Sequence, residues 1–127
     1  MLKEKYCNAG SFKASTLESA VCNSLCRWGF IHDHQPTRFK VTLGGKQITY
    51  TPDIRTFGIY LEPHGNLDDS RFLSKMTAFR QQYPTECVVL ITGAYETKKV
   101  PDGIFDAIVA TQQMSSLRPL INQLRRA

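Results

Sequence analysis

Residues 58–91 read GIYLEPHGNLDDSRFLSKMTAFRQQYPTECVVLI, and they predict a strand, a helix and a second strand in that order. Gly58 to Glu62 is a short apolar segment that ends before a Gly-Asn turn, which favours a strand. Cys87 to Ile91 is an apolar run without alternation, as expected for a strand that is buried on both faces and paired in parallel across the helix. The helix between them carries one apolar stripe, formed by Phe72, Met76, Phe79 and Tyr83.

The limits of this helix are marked by residues that start and stop helices. Asp68, Asp69 and Ser70 are expected to supply an N-cap and an acidic first turn, because carboxylates stabilise the positive end of the helix dipole. Pro84 lacks a backbone N–H and ends the helix. A strand, a crossover helix and a parallel strand together indicate an α/β fold.

A first helix is predicted near the N-terminus. Ser15-Thr16-Leu17-Glu18 matches the S-x-x-E capping box, in which two side chains satisfy backbone N–H groups at the start of a helix. The helix is expected to stop at Gly29. Its apolar residues recur at helical spacing and are Leu17, Val21, Leu25 and Trp28.

A β-hairpin is predicted next, and weaker patterns follow at the C-terminus. Phe39 to Leu43 alternates apolar and polar side chains, Gly44-Gly45 supplies a tight turn, and the alternation resumes up to Tyr50. The polar pattern of residues 95–102 predicts a loop. Helical patterns then cover Ile104 to Val109 and residues 117–124. We therefore expect an α/β fold with a mixed β-sheet flanked by helices.

Length and charge restrict the class of protein. The chain has 127 residues, which predicts one domain, and a formal net charge of +5, which permits a polyanionic partner without requiring one. The longest apolar run has five residues, whereas a membrane-spanning helix needs ~20. Met1 to Gly10 lacks the apolar stretch of a signal peptide, so we expect a soluble, cytoplasmic protein.

The four cysteines lie at positions 7, 22, 26 and 87, and they are too sparse for a disulfide scaffold. We expect them to be reduced. A zinc site is the alternative, with Cys22 and Cys26 joined by His32 and His34, but the paired spacing of structural zinc sites is missing. Buried apolar cysteines are therefore favoured.

Two acidic residues lie where neighbouring strands are predicted to end. Asp53 follows Pro52 after the hairpin, and Glu62 lies on the next strand. Carboxylate oxygens suit hard cations, and two acids held by strands would position Mg²⁺ rigidly. Because residues i and i+2 of a strand face the same side, Glu62 and His64 are expected to share a pocket, while Ile59 and Leu61 point into the core.

The same residues resemble those of a known family. Tyr50-Thr51-Pro52-Asp53, the stretch from Gly58 to Gly65, the helix that opens at Asp68-Asp69-Ser70-Arg71 and the upstream Glu18 are similar in order and spacing to the PD-(D/E)xK nucleases. Within these, the phage-type endonuclease I family of Holliday-junction resolvases is most similar. The resemblance covers residues 15–91, about three-fifths of the chain.

This resemblance implies a restriction-endonuclease-like core and a Mg²⁺-dependent or Mn²⁺-dependent endonuclease that hydrolyses phosphodiesters in branched or structured DNA. It implies that Asp53 and Glu62 ligate the ion, that the Pro63 carbonyl adds a ligand, and that Glu18 assists from the first helix. His64 stands where the family has a lysine. A histidine can act as a general base near its ordinary pKa of ~6.5, but it supplies less positive charge.

Other interpretations stay open. The protein could be a catalytically impaired nuclease-fold protein that binds DNA or a protein partner, or a small interaction domain whose acids are solvated. Glu18 could act only in the capping box, and Asp53 could be an ordinary turn residue. His64 could lie on an exposed loop, and Lys75 could lie on a solvated helix face. A buried Glu62 would still need a partner or a metal ion.

DNA contact is expected from basic residues spread along the chain, because phosphates bind Lys and Arg side chains. Arg118, Arg125 and Arg126 add positive charge near the C-terminus. Residues 1–14 are expected to form an N-terminal arm that is mobile or exchanged between the subunits of a homodimer, as the resemblance suggests. The residues assigned to DNA binding are Arg38, Lys40, Lys46, Arg55, Lys75, Lys98 and Lys99.

Overall fold

A computed structural model describes residues 16–68 and 70–125 of the protein. Its three α-helices are α1 (Thr16–Arg27), α2 (Ser70–Gln82) and α3 (Leu117–Leu124). Two 3₁₀ helices cover Glu96–Lys99 and Thr111–Ser116. The strands are β1 (Asp33–His34), β2 (Phe39–Leu43), β3 (Lys46–Tyr50), β4 (Ile54–Thr56), β5 (Ile59–Pro63), β6 (Cys87–Thr92) and β7 (Ala107–Ala110).

Five strands form a mixed sheet in the order β1-β4-β5-β6-β7. The pairs β1–β4 and β4–β5 are antiparallel, whereas β5–β6 and β6–β7 are parallel. The predicted parallel pairing across the crossover helix α2 is therefore confirmed, with Glu62 in register with Leu90. The expectation of an α/β fold with a mixed sheet flanked by helices is also confirmed.

Both faces of the sheet are covered, because alternate residues of its central strands point to opposite sides. On one face, α2 and the β2–β3 hairpin pack against Tyr60, Val88 and Leu90. On the other face, α1 and α3 pack against Ile59 and Leu61, among others, as expected for these two residues. All five residues of β5 are consequently buried. A polar side chain on this strand, such as that of Glu62, must find its partners inside the protein.

The hairpin has the expected strands, but it does not join the main sheet. Gly44 and Gly45 have φ angles of +60° and +79°, which a type I′ turn requires and glycine adopts without strain. β2 and β3 form a separate two-stranded sheet that packs on α2. Gln82 holds this contact, because its side chain exchanges two 2.9 Å hydrogen bonds with the backbone of Thr42.

Two predicted features are wrong. Ile104 to Val109 is not a helix, because Ala107–Ala110 forms strand β7 in parallel with β6. This pairing satisfies its backbone groups and places Val109 in the core, so tertiary contacts outweigh a weak helical pattern. The acidic first turn is also absent from α2, because the helix begins at Ser70 and Asp68 precedes it.

The remaining helices agree with the sequence patterns. α1 ends before Gly29, whose φ of +74° is the left-handed conformation common after a helix. α3 covers residues 117–124 as predicted. The capping serine at position 15 and the arm of residues 1–14 lie outside the described residues. No helix within 16–68 and 70–125 is long and apolar enough to cross a membrane.

Candidate active site

Asp53 and Glu62 meet at the junction of β4 and β5. The antiparallel register pairs Ile54 with Leu61, so the next position along brings Asp53 beside Glu62. Their carboxyl groups interact, and the Asp53 backbone faces the Glu62 carboxylate. The Tyr50 hydroxyl donates a 2.7 Å hydrogen bond to Oε1 of Glu62. The two acids singled out from the sequence are therefore adjacent, and Asp53 is not an ordinary turn residue.

Glu18 acts electrostatically on Asp53, and we call Glu18, Asp53 and Glu62 the acidic cluster. Glu18 lies in the first turn of α1, which packs on β5. Its charge raises the pKa of Asp53. Its Oε2 also accepts a 3.2 Å hydrogen bond from Nδ1 of His34, so Glu18 does more than cap a helix.

The acidic cluster is costly to ionise. Burial, and then the charge of Glu18, raises the pKa of Asp53 to about 6. Burial, and then the charge of Asp53, raises the pKa of Glu62 to about 8. Burial likewise raises the pKa of Glu18. Strongly raised carboxyl pKa values in one place are typical of sites that bind a cation or transfer protons.

Lys75 is the basic residue that the structure brings to the acidic cluster. It lies on α2, is half-buried, and holds Nζ 5.3 Å from the centroid of the Tyr50 ring. Its charge lowers the pKa of both Asp53 and Glu62. Lys75 is therefore only partly exposed to solvent on its helix face. The hairpin covers α2 and places the Tyr50 ring beside the lysine ammonium group.

His64 directly follows β5 and is half-buried. Its ring stacks on Phe72 of α2, with 3.7 Å between the ring centroids and an interplanar angle of 5°. Its backbone N–H donates to the carbonyl of Ile91 at 3.0 Å. His64 is thus packed against α2 rather than displayed on an exposed loop. Its catalytic role, and the ligand role of the Pro63 carbonyl, stay predictions.

The basic residues assigned to DNA binding have different surroundings. Lys99 donates to Asp68 at 2.5 Å and to Glu96 at 3.1 Å, so two carboxylates offset its charge. Arg55 lies 5.8 Å from the Tyr60 ring centroid and is exposed. DNA binding by this set stays a prediction. Together with Lys99, the exposed members are Arg38, Lys40, Lys46, Arg55 and Lys98.

The cysteines differ from the sequence-based expectation. Cys26 is disulfide-bonded rather than reduced, so its sulfur cannot join the zinc site that the sequence suggests. Cys22 and Cys87 are thiols. Cys22 is not simply a buried apolar residue, because its Sγ lies 3.2 Å from Nε2 of His32 and 3.3 Å from Nε2 of His34. The His-x-His spacing was the sequence signal for this group.

Comparisons with family models, curated proteins and solved structures find no match to this chain. A function for the protein must therefore be inferred from its own residues. The described structure offers two arrangements with specific chemistry, the acidic cluster with Lys75 beside it and the group formed by Cys22, His32 and His34.

Proposed function

We propose that the protein is a metal-dependent endonuclease that hydrolyses phosphodiesters in branched or structured DNA. The observation that carries the proposal is the convergence of Asp53 and Glu62 from two neighbouring strand ends, with Lys75 acting on both carboxylates and Glu18 on that of Asp53. This convergence supports the resemblance to PD-(D/E)xK nucleases and, with the mixed sheet, a restriction-endonuclease-like core.

The acidic cluster has the chemistry that Mg²⁺ or Mn²⁺ requires. Its donors are carboxylate oxygens, and burial with mutual repulsion disfavours their charged forms in the absence of a cation. Asp53 and Glu62 would hold the ion, with Glu18 assisting and the Pro63 carbonyl as an added ligand. When bound, the ion would stabilise negative charge on the phosphate during attack by water.

Tyr50 and Glu62 orient one another. The hydrogen bond from Tyr50 fixes Oε1 of Glu62, and both side chains are buried, so this carboxylate has little rotational freedom. Fixed ligands favour catalysis because the protein need not reorganise when the substrate binds. Tyr50 is therefore a positioning residue in this proposal.

Lys75 would supply the positive charge that the family obtains from its motif lysine. Its ammonium group acts on both strand-borne carboxylates and lies over the Tyr50 ring. Charge at this point would stabilise the negative charge that develops on the phosphate. His64, which stacks on Phe72, would then help to position α2 against the end of β5.

A second candidate function follows from the same stacking. If the motif position must hold a lysine for catalysis, His64 packed on Phe72 favours a catalytically impaired nuclease-fold protein that binds DNA or a protein partner. Cleavage distinguishes the two functions, because only the endonuclease requires it.

The test is incubation of the purified chain with linear duplex and four-way-junction DNA in Mg²⁺, Mn²⁺ or EDTA. We expect junction cleavage with either ion and none in EDTA. Asp53→Asn and Glu62→Gln should abolish cleavage, whereas Asp102→Asn, at an exposed position, should not. Equal cleavage by Glu62→Gln and wild type would contradict this site assignment. Junction binding without cleavage would favour the impaired protein.

A further inference from the structure

A second cluster of ligand atoms lies on the other side of Glu18. Cys22 is one helical turn after Glu18 on α1, so the two side chains share a face. His32 and His34 lie two residues apart on the extended segment that returns along α1, and they too face the same way. Sγ of Cys22 and one nitrogen of each histidine all lie within 4.8 Å of one another.

The spacing of these atoms suits a tetrahedral metal ion. Zinc binds thiolate sulfur at ~2.3 Å and imidazole nitrogen at ~2.1 Å, which places sulfur and nitrogen ~3.6 Å apart in a tetrahedron. The sulfur lies 3.2 Å from Nε2 of His32 and 3.3 Å from Nε2 of His34. Small side-chain rotations would therefore admit the ion.

The hydrogen bonds behind the histidines also favour metal binding. Nδ1 of His32 lies 2.9 Å from the Phe30 carbonyl, and Nδ1 of His34 lies 3.2 Å from Oε2 of Glu18. A carbonyl and a carboxylate only accept, so each Nδ1 carries the proton. Each Nε2 therefore directs a lone pair at Sγ, and metal-ligating histidines are held in this way by carbonyls and carboxylates.

A single thiol proton serves only one of the two short Sγ–Nε2 contacts in this cluster. The Cys22 thiol has one hydrogen, which can lie toward only one of the two Nε2 atoms at a time. The other nitrogen then faces a sulfur lone pair at the same short distance. A metal ion bound by the thiolate would accept lone pairs from all three atoms.

The cluster is enclosed but reachable. Cys22 is 1% exposed, and the side chain of His34 is 7% exposed. His32 is half-buried and lines a pocket of about 320 Å³ with Cys26, Gly29, Phe30 and Ile31. Three protein ligands leave a fourth position, which a solvent molecule can occupy in a zinc site.

We propose that Cys22, His32 and His34 form a transition-metal site of the zinc class, separate from the acidic cluster and joined to it through Glu18. Sulfur and nitrogen donors select such an ion over Mg²⁺, which prefers oxygen. Binding would fasten the His32–His34 segment to α1 and hold Glu18 in place. The site does not depend on the endonuclease proposal, because its ligands and its ion are different.

Cobalt substitution tests this site directly. Full-length protein is treated with a chelator and titrated with Co²⁺, whose bond to a thiolate gives a charge-transfer absorption band. We expect one equivalent of Co²⁺ to develop this band and Zn²⁺ to abolish it. Cys22→Ser and His34→Asn should remove the band, whereas Cys87→Ser, His64→Asn and Asp53→Asn should retain it. A folded wild type without the band, or an unchanged band in Cys22→Ser, would overturn the proposal.

Alkylation of wild-type protein provides a measurement that needs no variant. Zn²⁺ should slow the reaction of iodoacetamide with Cys22 at least tenfold and leave Cys87 unaffected, as read by peptide mass spectrometry. Equal alkylation of Cys22 with and without Zn²⁺ would refute the site even if the variants fail to fold. Neither measurement depends on DNA cleavage, so failure of this proposal is distinguishable from failure of the endonuclease proposal.

Discussion

The Tyr50 hydroxyl donates a 2.7 Å hydrogen bond to Oε1 of Glu62, and the two residues come from different sheets. Tyr50 ends the last strand of the hairpin, and Glu62 lies on a central strand of the main sheet. Burial and the nearby Glu62 raise the pKa of Tyr50, so it remains a donor at any pH of interest. This hydrogen bond therefore links the hairpin to the buried carboxyl group of the main sheet.

Removing this donor should impair both stability and cleavage. Tyr50→Phe leaves a buried carboxylate without one of its hydrogen bonds, at a cost of ~1–3 kcal/mol. Urea denaturation at pH 8 measures the loss. Tyr83→Phe is the matched control, because its hydroxyl donates to the Lys40 carbonyl at 2.8 Å in an exposed position. If both variants lose the same stability, the Tyr50–Glu62 contact has no special role.

Stability should fall as pH rises in the presence of EDTA. The ordinary pKa values of the Asp53 and Glu62 carboxyl groups are 3.8 and 4.5, and in the fold these rise to about 6 and about 8. Between pH 4 and pH 8 the native state therefore binds more protons than the unfolded state, so the free energy of unfolding decreases with pH.

Glu62→Gln should flatten this dependence and stabilise the protein at pH 8 by on the order of a few kcal/mol. Chemical denaturation at pH 5 and pH 8 provides the comparison, with Glu86→Gln as a control at a half-buried site. A wild-type stability that increases over this interval would show that burial does not dominate the titration of the acidic cluster.

Divalent ions should restore the protein stability that ionisation of the acidic cluster removes at high pH. An ion that binds only the native state adds RT ln(1 + [L]/Kd) to the free energy of unfolding. Mg²⁺ or Mn²⁺ should therefore raise the Tm of wild type, and Asp53→Asn should abolish the increase. Cys22→Ser should keep the Mg²⁺ effect. An identical Tm with and without either ion would count against a formed site.

Lys75→Ala should slow DNA cleavage by ~100-fold, comparable to the loss of one donor to a developing negative charge. It should also raise the pKa of Asp53 and Glu62 further, because their nearby cation is gone. Single-turnover cleavage across pH provides both readouts. Arg27→Ala removes an exposed positive charge that is not assigned to DNA binding and serves as the control. Equal rates for the two variants would remove Lys75 from the mechanism.

Substitution of His64 should slow DNA cleavage less than substitution of Lys75 does, if Lys75 provides the positive charge. His64→Ala should cost well below the ~100-fold that the loss of a general base causes. In an active enzyme, His64→Lys should leave cleavage unchanged or lower. Cleavage that appears only in His64→Lys would instead show that the natural protein is the impaired form.

The salt dependence of DNA binding should distinguish basic residues that contact phosphates from those that do not. Arg55→Ala and Lys40→Ala should weaken junction binding and reduce the slope of log affinity against log salt by about one unit each. Lys99→Ala should change it less, because Asp68 and Glu96 already offset this charge. Fluorescence anisotropy over a range of salt concentrations gives the slopes. Equal slopes for all three variants would contradict the assignment.

The sequence predicts the parts of the fold that local pattern determines. The unalternated apolar run Cys87 to Ile91 predicts a buried strand and the stripe from Phe72 to Tyr83 predicts a helix, and together they predict the parallel crossover. β7 is not predictable in this way, because Ala107–Ala110 becomes a strand only when β6 provides its partner.

The same limit applies to the site. Asp53 and Glu62 are foreseen because one follows Pro52 at a predicted strand end and the other lies on the next predicted strand, and the observed register brings them together. The position of Lys75 depends on the hairpin folding over α2, and the meeting of Cys22 with His34 depends on the chain turning back along α1. No residue spacing points to the Lys75 contact. The spacing of Cys22, His32 and His34 allows a zinc site only as an alternative, because the paired spacing of structural zinc sites is missing.

The short outer strands of the five-stranded sheet bear on association between copies of the protein. β1 has two residues at one edge and β7 has four at the other, so each edge offers few backbone groups to another strand. A second copy would gain little by extending the sheet, whereas long, flat edges promote aggregation. The architecture therefore discourages continuous β-pairing between chains, even though the centre of its sheet is strongly apolar.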